Sequence, residues 1–262
     1  MNGSLQTSAS GMAAQQRMID VIANNLANVN TTGFKKGRVA FQDVLYETVQ
    51  NVRPADDAGS ETVGAIQVGR GVRVAAVQRQ HSQGSVEVTD RPLNLAIEGS
   101  GFFQIQRPDL QTSYSRDGNF SLSDTGALVT QDGYLVEPGI YIPAEATGVS
   151  ISPSGTVSAT VAGSPEPMEL GRIEIARFIN PSGLLAIGEN QYMETPASGE
   201  PMVGLPDEYG FGRLLQGALE TSNVEIVREM TDMIAAQRAY EINARAIRAS
   251  DTMMQSLNDL IR

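Results

Sequence analysis

The sequence predicts an elongated α+β protein, with long N- and C-terminal helices paired as a coiled coil and a central antiparallel β-rich domain. Three observations carry that expectation. Apolar residues recur at alternating spacings of four and three near both ends. Between the ends the pattern switches to period two. Glycine is abundant, 26 of 262 residues, and Asp-Gly, Pro-Gly and Ser-Gly pairs cut the middle into short runs.

At the N-terminus, Leu5, Ala9, Met12, Gln16, Ile19, Ala23 and Leu26 form a narrow heptad seam interrupted only by Gln16. The spacing predicts a helix over 4–28, and Gly33 after Thr31 and Thr32 marks the turn out. The stretch "VIANNLANVNTTGF" places Asn24, Asn25, Asn28 and Asn30 at the end of this helix. Asparagine weakens helix interiors because its side chain competes for nearby backbone hydrogen bonds. Two readings stand: the amides stop the helix, or they bond to another chain. Asn24 and Asn28 share one face at a spacing of four.

The C-terminus repeats the spacing through Ile226, Met230, Met233, Gln237, Tyr240, Ala244, Ile247, Asp251, Met254, Asn258 and Ile261. Ser222 or Asn223 is the expected cap, with Glu225 and Glu229 in the first turns. Neither Pro nor Gly follows before Ile261. A helix of roughly 40 residues would be about 60 Å long. A long helix with a narrow apolar stripe gains most of its stability from packing that stripe, so mutual pairing of the two ends is the economical arrangement.

From Gly71 onward, "VRVAAVQRQ", "SVEVTD", "LNLAIEG", "FFQIQR", "NFSLSD", "ALVTQ", "YLVE", "IYIP" and "RIEIARF" read as short strands. The polar stretch 51–64 breaks both periods and reads as a loop or extended arm; 196–212 reads as a second irregular link. The expected plan is a helical assembly domain from 1–45 and 215–262, connecting links at 46–92 and 196–214, and a β-rich outer domain at 93–195.

Composition excludes much chemistry. There is no Cys, so disulfides, thiol catalysis and Cys-containing metal sites are ruled out. The single histidine, His81, reads as a structural residue; no G-x-S-x-G, dinucleotide fingerprint, P-loop or EF-hand loop occurs. No acid pair is placed to act as a general acid and base. No enzyme, cofactor or metal is expected.

Net charge is −11. Residues 1–50 carry four basic against three acidic side chains, and 222–262 five against six, so the middle holds the excess acid. Nucleic-acid binding would need clustered Lys and Arg, which are absent. No window is apolar enough for a membrane span, and the N-terminus lacks the charged and apolar regions of a cleavable signal.

What remains is an interaction protein. A helix pair has more lateral surface than its partner covers, and repeated subunits would cover the rest in a heterologous contact that closes into a ring or propagates as a helical filament. The expected subunit contacts are Leu5, Met12, Ile19, Asn24, Asn25, Leu26, Asn28, Ile226, Met230, Met233, Tyr240, Ile247, Met254 and Ile261. The rival from another class is a cell-wall-binding or glycan-processing β-domain protein.

Longer words sharpen this reading. "AAQQRMIDVIANNLANVNTTGFKKGRVAFQDVLYE" at 13–47 and "GALETSNVEIVREMTDMIAAQRAYEINARAI" at 217–247 resemble the two terminal signatures of the bacterial flagellar axial family, the rod and hook proteins. "VGRGVRV", "HSQGSVEVTDRPLNLAIEGSGFFQI" and "YSRDGNFSLSDTGALVTQDGYLV" extend the resemblance through the middle. Within the basal-body rod family it is most similar to the distal rod branch, with the proximal rod and hook paralogues as alternatives.

The resemblance implies a subunit of a rigid hollow helical tube that transmits torque across the periplasm to the hook. It implies export through the flagellar type III apparatus without a cleavable signal. The implied neighbours are copies of the chain, proximal rod proteins, the hook protein, and the peptidoglycan and outer-membrane ring proteins. It also implies a rod-specific segment at 46–63, with Tyr46, Arg53, Asp56, Asp57 and Glu61, expected to stiffen the tube by filling gaps between neighbours.

Overall fold

Two helices bracket the chain. In the computed structural model, whose described residues are 2–50, 65–161 and 167–260, α1 runs Asn2–Ala27 and α2 runs Ile226–Leu260. α1 stops where "NVNTTG" begins. Gly33 there has a φ of 67°, a left-handed conformation that costs a residue without a Cβ little. A Cβ at that position would also lie 2.6 Å from the Asp117 backbone nitrogen.

α2 begins later than a cap at Ser222 or Asn223 requires, because the Asn223 side chain is engaged elsewhere. Its Nδ2 donates to the carbonyls of Gln80 (2.8 Å) and Ser82 (3.1 Å), and its Oδ1 accepts from the Lys36 backbone N–H (2.8 Å).

The described chain divides into two units, one from 1–26, 37–78 and 226–262, the other from 27–36 and 79–225. In the first, the α+β composition holds but the coiled coil does not. The expected seams are not the faces that are buried. On α1, Ala14, Ile22 and Asn25 are buried, whereas Ala9, Gln16 and Ala23 are exposed. On α2, Glu229 and Ala236 are buried, whereas Ile226, Met230, Gln237 and Tyr240 are exposed.

Where the helices touch, small and polar residues meet. Asn25 Nδ2 donates to Glu229 Oε2 at 3.0 Å, and a Cβ on Gly11 would stand 3.0 Å from the Asn243 amide. Knobs-into-holes packing needs large apolar side chains at such positions, and Gly11, Asn25, Glu229 and Asn243 stand there instead.

The same unit holds two strand pairs: Gly37–Asp43 with Val72–Arg79, and Tyr46–Gln50 with Ile66–Gly69, the latter in antiparallel register Tyr46↔Gly69 and Glu47↔Val68. The first strand lies in a stretch the sequence assigned to the helical domain; "GRVAF" alternates too briefly to register as a strand by period alone.

The second unit is built on a nine-stranded antiparallel sheet. Its organising strand, Phe102–Gln106, pairs with Thr112–Ser115 on one side. On the other side it pairs with both Leu135–Val136 and Ile175–Arg177. A three-stranded meander, Ala146–Ile151, Thr156–Val161 and Met168–Arg172, stands beside it.

Leu95, Ile97, Phe103, Phe120, Ile173, Ile175 and Leu214 are among the residues closing one apolar core. Alternating strands deliver them from both sides of the chain, as period-two patterning requires. Phe102, Tyr114, Phe178, Leu184 and Tyr192 form a second cluster. Two short pairs, Arg213–Gln216 with Leu95–Glu98 and Ala218–Glu220 with Val86–Val88, bring the chain preceding α2 onto this body.

Candidate functional site

Two places concentrate polar and apolar chemistry: a buried charged junction in the β-rich unit, and the outward row of α2.

The junction is centred on Glu220, the last residue of its strand. Its carboxylate accepts from Lys35 Nζ through Oε1, from the Gly84 backbone N–H at 2.9 Å, and from Arg116 Nη1 through Oε2 at 3.3 Å. All three ionic side chains are buried. Lys35 Nζ also donates to the Ser82 carbonyl at 2.8 Å, and Arg116 donates to the carbonyls of Ile97 (3.2 Å) and Gly99 (2.6 Å). Arg116 Nε meets no partner among the described residues, and these remaining bonds are what let the charges sit away from water.

Burial still pushes the Lys35 ammonium and the Arg116 guanidinium below their ordinary pKa values, against the pull of Glu220. Backbone bonds reinforce the junction: the Gly33 N–H donates to the Glu220 carbonyl (2.8 Å) and the Gln80 N–H to the Lys36 carbonyl (2.9 Å). Thr32 Oγ1 donates to Asp117 Oδ1 at 2.9 Å, and Asp117 is raised above the usual carboxylate range by burial. The junction therefore locks "TTGFKK" to "ALETSN" through the β-rich body.

Within the helical unit, Asn25 makes a second lock. It is 2% exposed. Its Oδ1 accepts from the Gly37 N–H (2.8 Å) while its Nδ2 donates to the Gly37 carbonyl (2.9 Å) and to Glu229. One amide thus satisfies both backbone groups of Gly37 and a buried carboxylate from α2.

The outward row lies on α2. Ile226, Val227, Met230, Ile234, Ile242 and Met253 are exposed large apolar side chains, Val227 at 80%. Among the described residues, α1 contributes none to that class. An amphipathic helix with bulky apolar residues on its solvent side is a surface made to be covered.

Comparison with known proteins agrees with the terminal words. Residues 5–35 match the family described as flagella basal body rod protein, 96–159 the flagellar hook protein FlgE/F/G D1 domain, and 215–260 the flagellar basal body rod FlgEFG protein C-terminal region. Relatives named flagellar basal-body rod protein FlgG are similar from end to end. That of Borreliella burgdorferi is 49% identical over 100% of both chains, that of Caulobacter vibrioides 48% over 98% of both, and that of Bacillus subtilis 41% over 99% of both.

The chain belongs to the flagellar basal-body rod protein family. Lys35 closes the N-terminal match and Glu220 lies in the C-terminal one, so the buried pair joins the two parts that carry the family signature.

The residues expected to contact neighbouring subunits fall into distinct environments in this rod-family chain. Leu5, Met12, Ile19, Leu26, Asn28, Met233 and Ile247 are half-buried. Asn24, Ile226, Met230, Tyr240 and Met254 are exposed. Asn25 is buried, with its amide engaged inside its own chain. Asn28 Oδ1 accepts from Thr31 Oγ1 at 3.3 Å, a contact that helps turn the chain.

Tyr46 begins an exposed strand. Ile261, Arg53, Asp56, Asp57 and Glu61 lie outside the described residues. Sequence reasoning missed Lys35, Arg116 and Glu220, and read Asn223 as a helix cap rather than a tie between segments. The signal was present in Lys35 standing just after the helix-ending turn and Glu220 in the strand that leads toward the second helix, but a buried ion pair has no local pattern.

Proposed function

We propose that this chain is a structural, non-catalytic subunit of the basal-body rod, polymerising with copies of itself into the distal part of a rigid hollow tube that carries torque to the hook. The observation that supports this most directly is the outward row of α2, Ile226, Val227, Met230 and Ile234, in a chain of the rod family. Covering each such side chain is worth roughly 1.5–3 kcal/mol, so side-by-side copies gain where a lone chain does not.

On this reading the neighbours along the axis are proximal rod proteins and the hook protein, with ring proteins of the peptidoglycan and outer membrane around it. The chain reaches the periplasm through the flagellar type III apparatus. The segment 46–63 stiffens the tube.

Negative-stain microscopy of the concentrated protein tests the proposal. Rods or tubes are expected from the intact chain and not from a chain carrying Val227→Asp and Ile234→Asp. Monodisperse particles with glycan-cleaving activity would reject it in favour of a cell-wall enzyme.

A further inference from the structure

His81 stands at the centre of the segment that both terminal connections hold. On one side of it, the Gln80 carbonyl accepts from Asn223 Nδ2 and the Gln80 N–H donates to Lys36. On the other, the Ser82 carbonyl accepts from both Lys35 Nζ and Asn223 Nδ2. The imidazole itself enters the aromatic cluster, edge-on to Phe102 at 5.5 Å and to Tyr192 at 5.2 Å. Neither ring nitrogen meets a hydrogen-bond partner among the described residues.

The charged and titratable groups facing it are Lys35 from the turn after α1, Arg79 from the end of the strand Val72–Arg79, Arg116 beyond the strand Thr112–Ser115, and Tyr192. Glu220 is the carboxylate that pairs with Lys35 and Arg116. A proton on His81 would add a further positive charge to an apolar pocket where cations already outnumber carboxylates.

We propose that residues 80–82 are an acid-sensitive latch: when His81 takes a proton and leaves the aromatic pocket, the Gln80 and Ser82 carbonyls lose Asn223 and Lys35, and the connections bordering both helices loosen together.

Burial, then Lys35, Arg116 and Arg79, lower the His81 pKa from the ordinary 6.5 to about 4. An opened segment takes up the proton near the ordinary value, whereas the closed one refuses it. The latch is therefore fully stable above about pH 6.5 and weakens as pH falls toward 4, by up to roughly two orders of magnitude in its opening equilibrium.

Because the chain has one histidine, its imidazole signal in the full-length protein is unambiguous. A proton–carbon titration of the folded wild-type chain should show His81 neutral until below pH 5; a midpoint near 6.5 overturns the proposal. Hydrogen exchange, corrected for intrinsic rates, provides the second reading. The amides of Gly33, Lys36, Gln80 and Asn223 should open about twentyfold more at pH 5 than at pH 7 relative to the Phe103 amide, and H81F should abolish that difference. An equal loss of protection in H81F, or no loss in the wild type, rejects the latch.

Discussion

The β-rich unit and the helical unit solve the burial problem differently. In the β-rich unit the large apolar residues Phe103, Phe120, Leu95, Ile97 and Ile175 are essentially sealed, and the edge-on ring pair Phe103–Phe120 sits at 5.0 Å. Among the described residues of the helical unit the buried positions include Ala14, Ile22, Asn25, Glu229 and Ala236, while Val227, Ile234 and Ile242 face out. The first unit closes large apolar cores within one chain, although Val88, Leu110, Ile179 and Tyr209 stay on its surface. The second reserves much of its hydrophobic surface for something else and fixes its internal geometry with amides and small residues. The contrast separates large apolar side chains sealed in a core from those, such as Val227, Ile234 and Ile242, left on a helix surface.

Substitutions can break or sharpen that contrast. The largest effect is expected from Glu220→Ala, which leaves Lys35 and Arg116 buried without their carboxylate. Urea unfolding of the full chain should show a loss of about 3–5 kcal/mol. A loss below about 1 kcal/mol would mean the junction is not a determinant of the fold. Phe103→Ala, which removes a sealed ring from the β core, should cost about 3–5 kcal/mol by the same measurement and lower the thermal midpoint accordingly.

Asn25→Ala comes next. It strands both backbone groups of Gly37 and removes one donor from the Glu229 carboxylate, and about 1–3 kcal/mol is expected. That loss should be concentrated in the helical unit, as hydrogen exchange on the two units would reveal. The smallest effect on the isolated chain should come from Val227→Ser, within about 0.5 kcal/mol because its side chain already faces water. The same change should nevertheless raise the concentration at which rods form. A large change in unfolding with no change in assembly would reverse the division drawn between the two units.

The asparagines of "ANNLANVN" show how far reading the sequence can go. Period and turn chemistry place the end of α1 within a residue of where it stands, and the four amides are a visible anomaly in a helix. Whether an amide faces its own chain or another cannot be read from spacing. Asn25 depends on Gly37 twelve residues on and on Glu229 from the far end of the chain, and no local pattern links those three. The strands were legible wherever alternation ran long, as in "VRVAAVQRQ" and "FFQIQR". Gly37–Asp43 and the meander at 146–172 were missed because their alternation is short or their faces are half-exposed.

By itself the sequence determined the two terminal helices, the antiparallel middle, the absence of cysteine chemistry and the family, because periodicity, composition and long shared words are local properties. Only the tertiary structure decided which helix faces are covered, that Asn223 ties three segments instead of capping a helix, and that Lys35, Arg116 and Glu220 converge. Those outcomes depend on contacts between residues as far apart as Asn25 and Glu229. There, desolvation makes an unpaired amide or charge costly enough to dictate the packing.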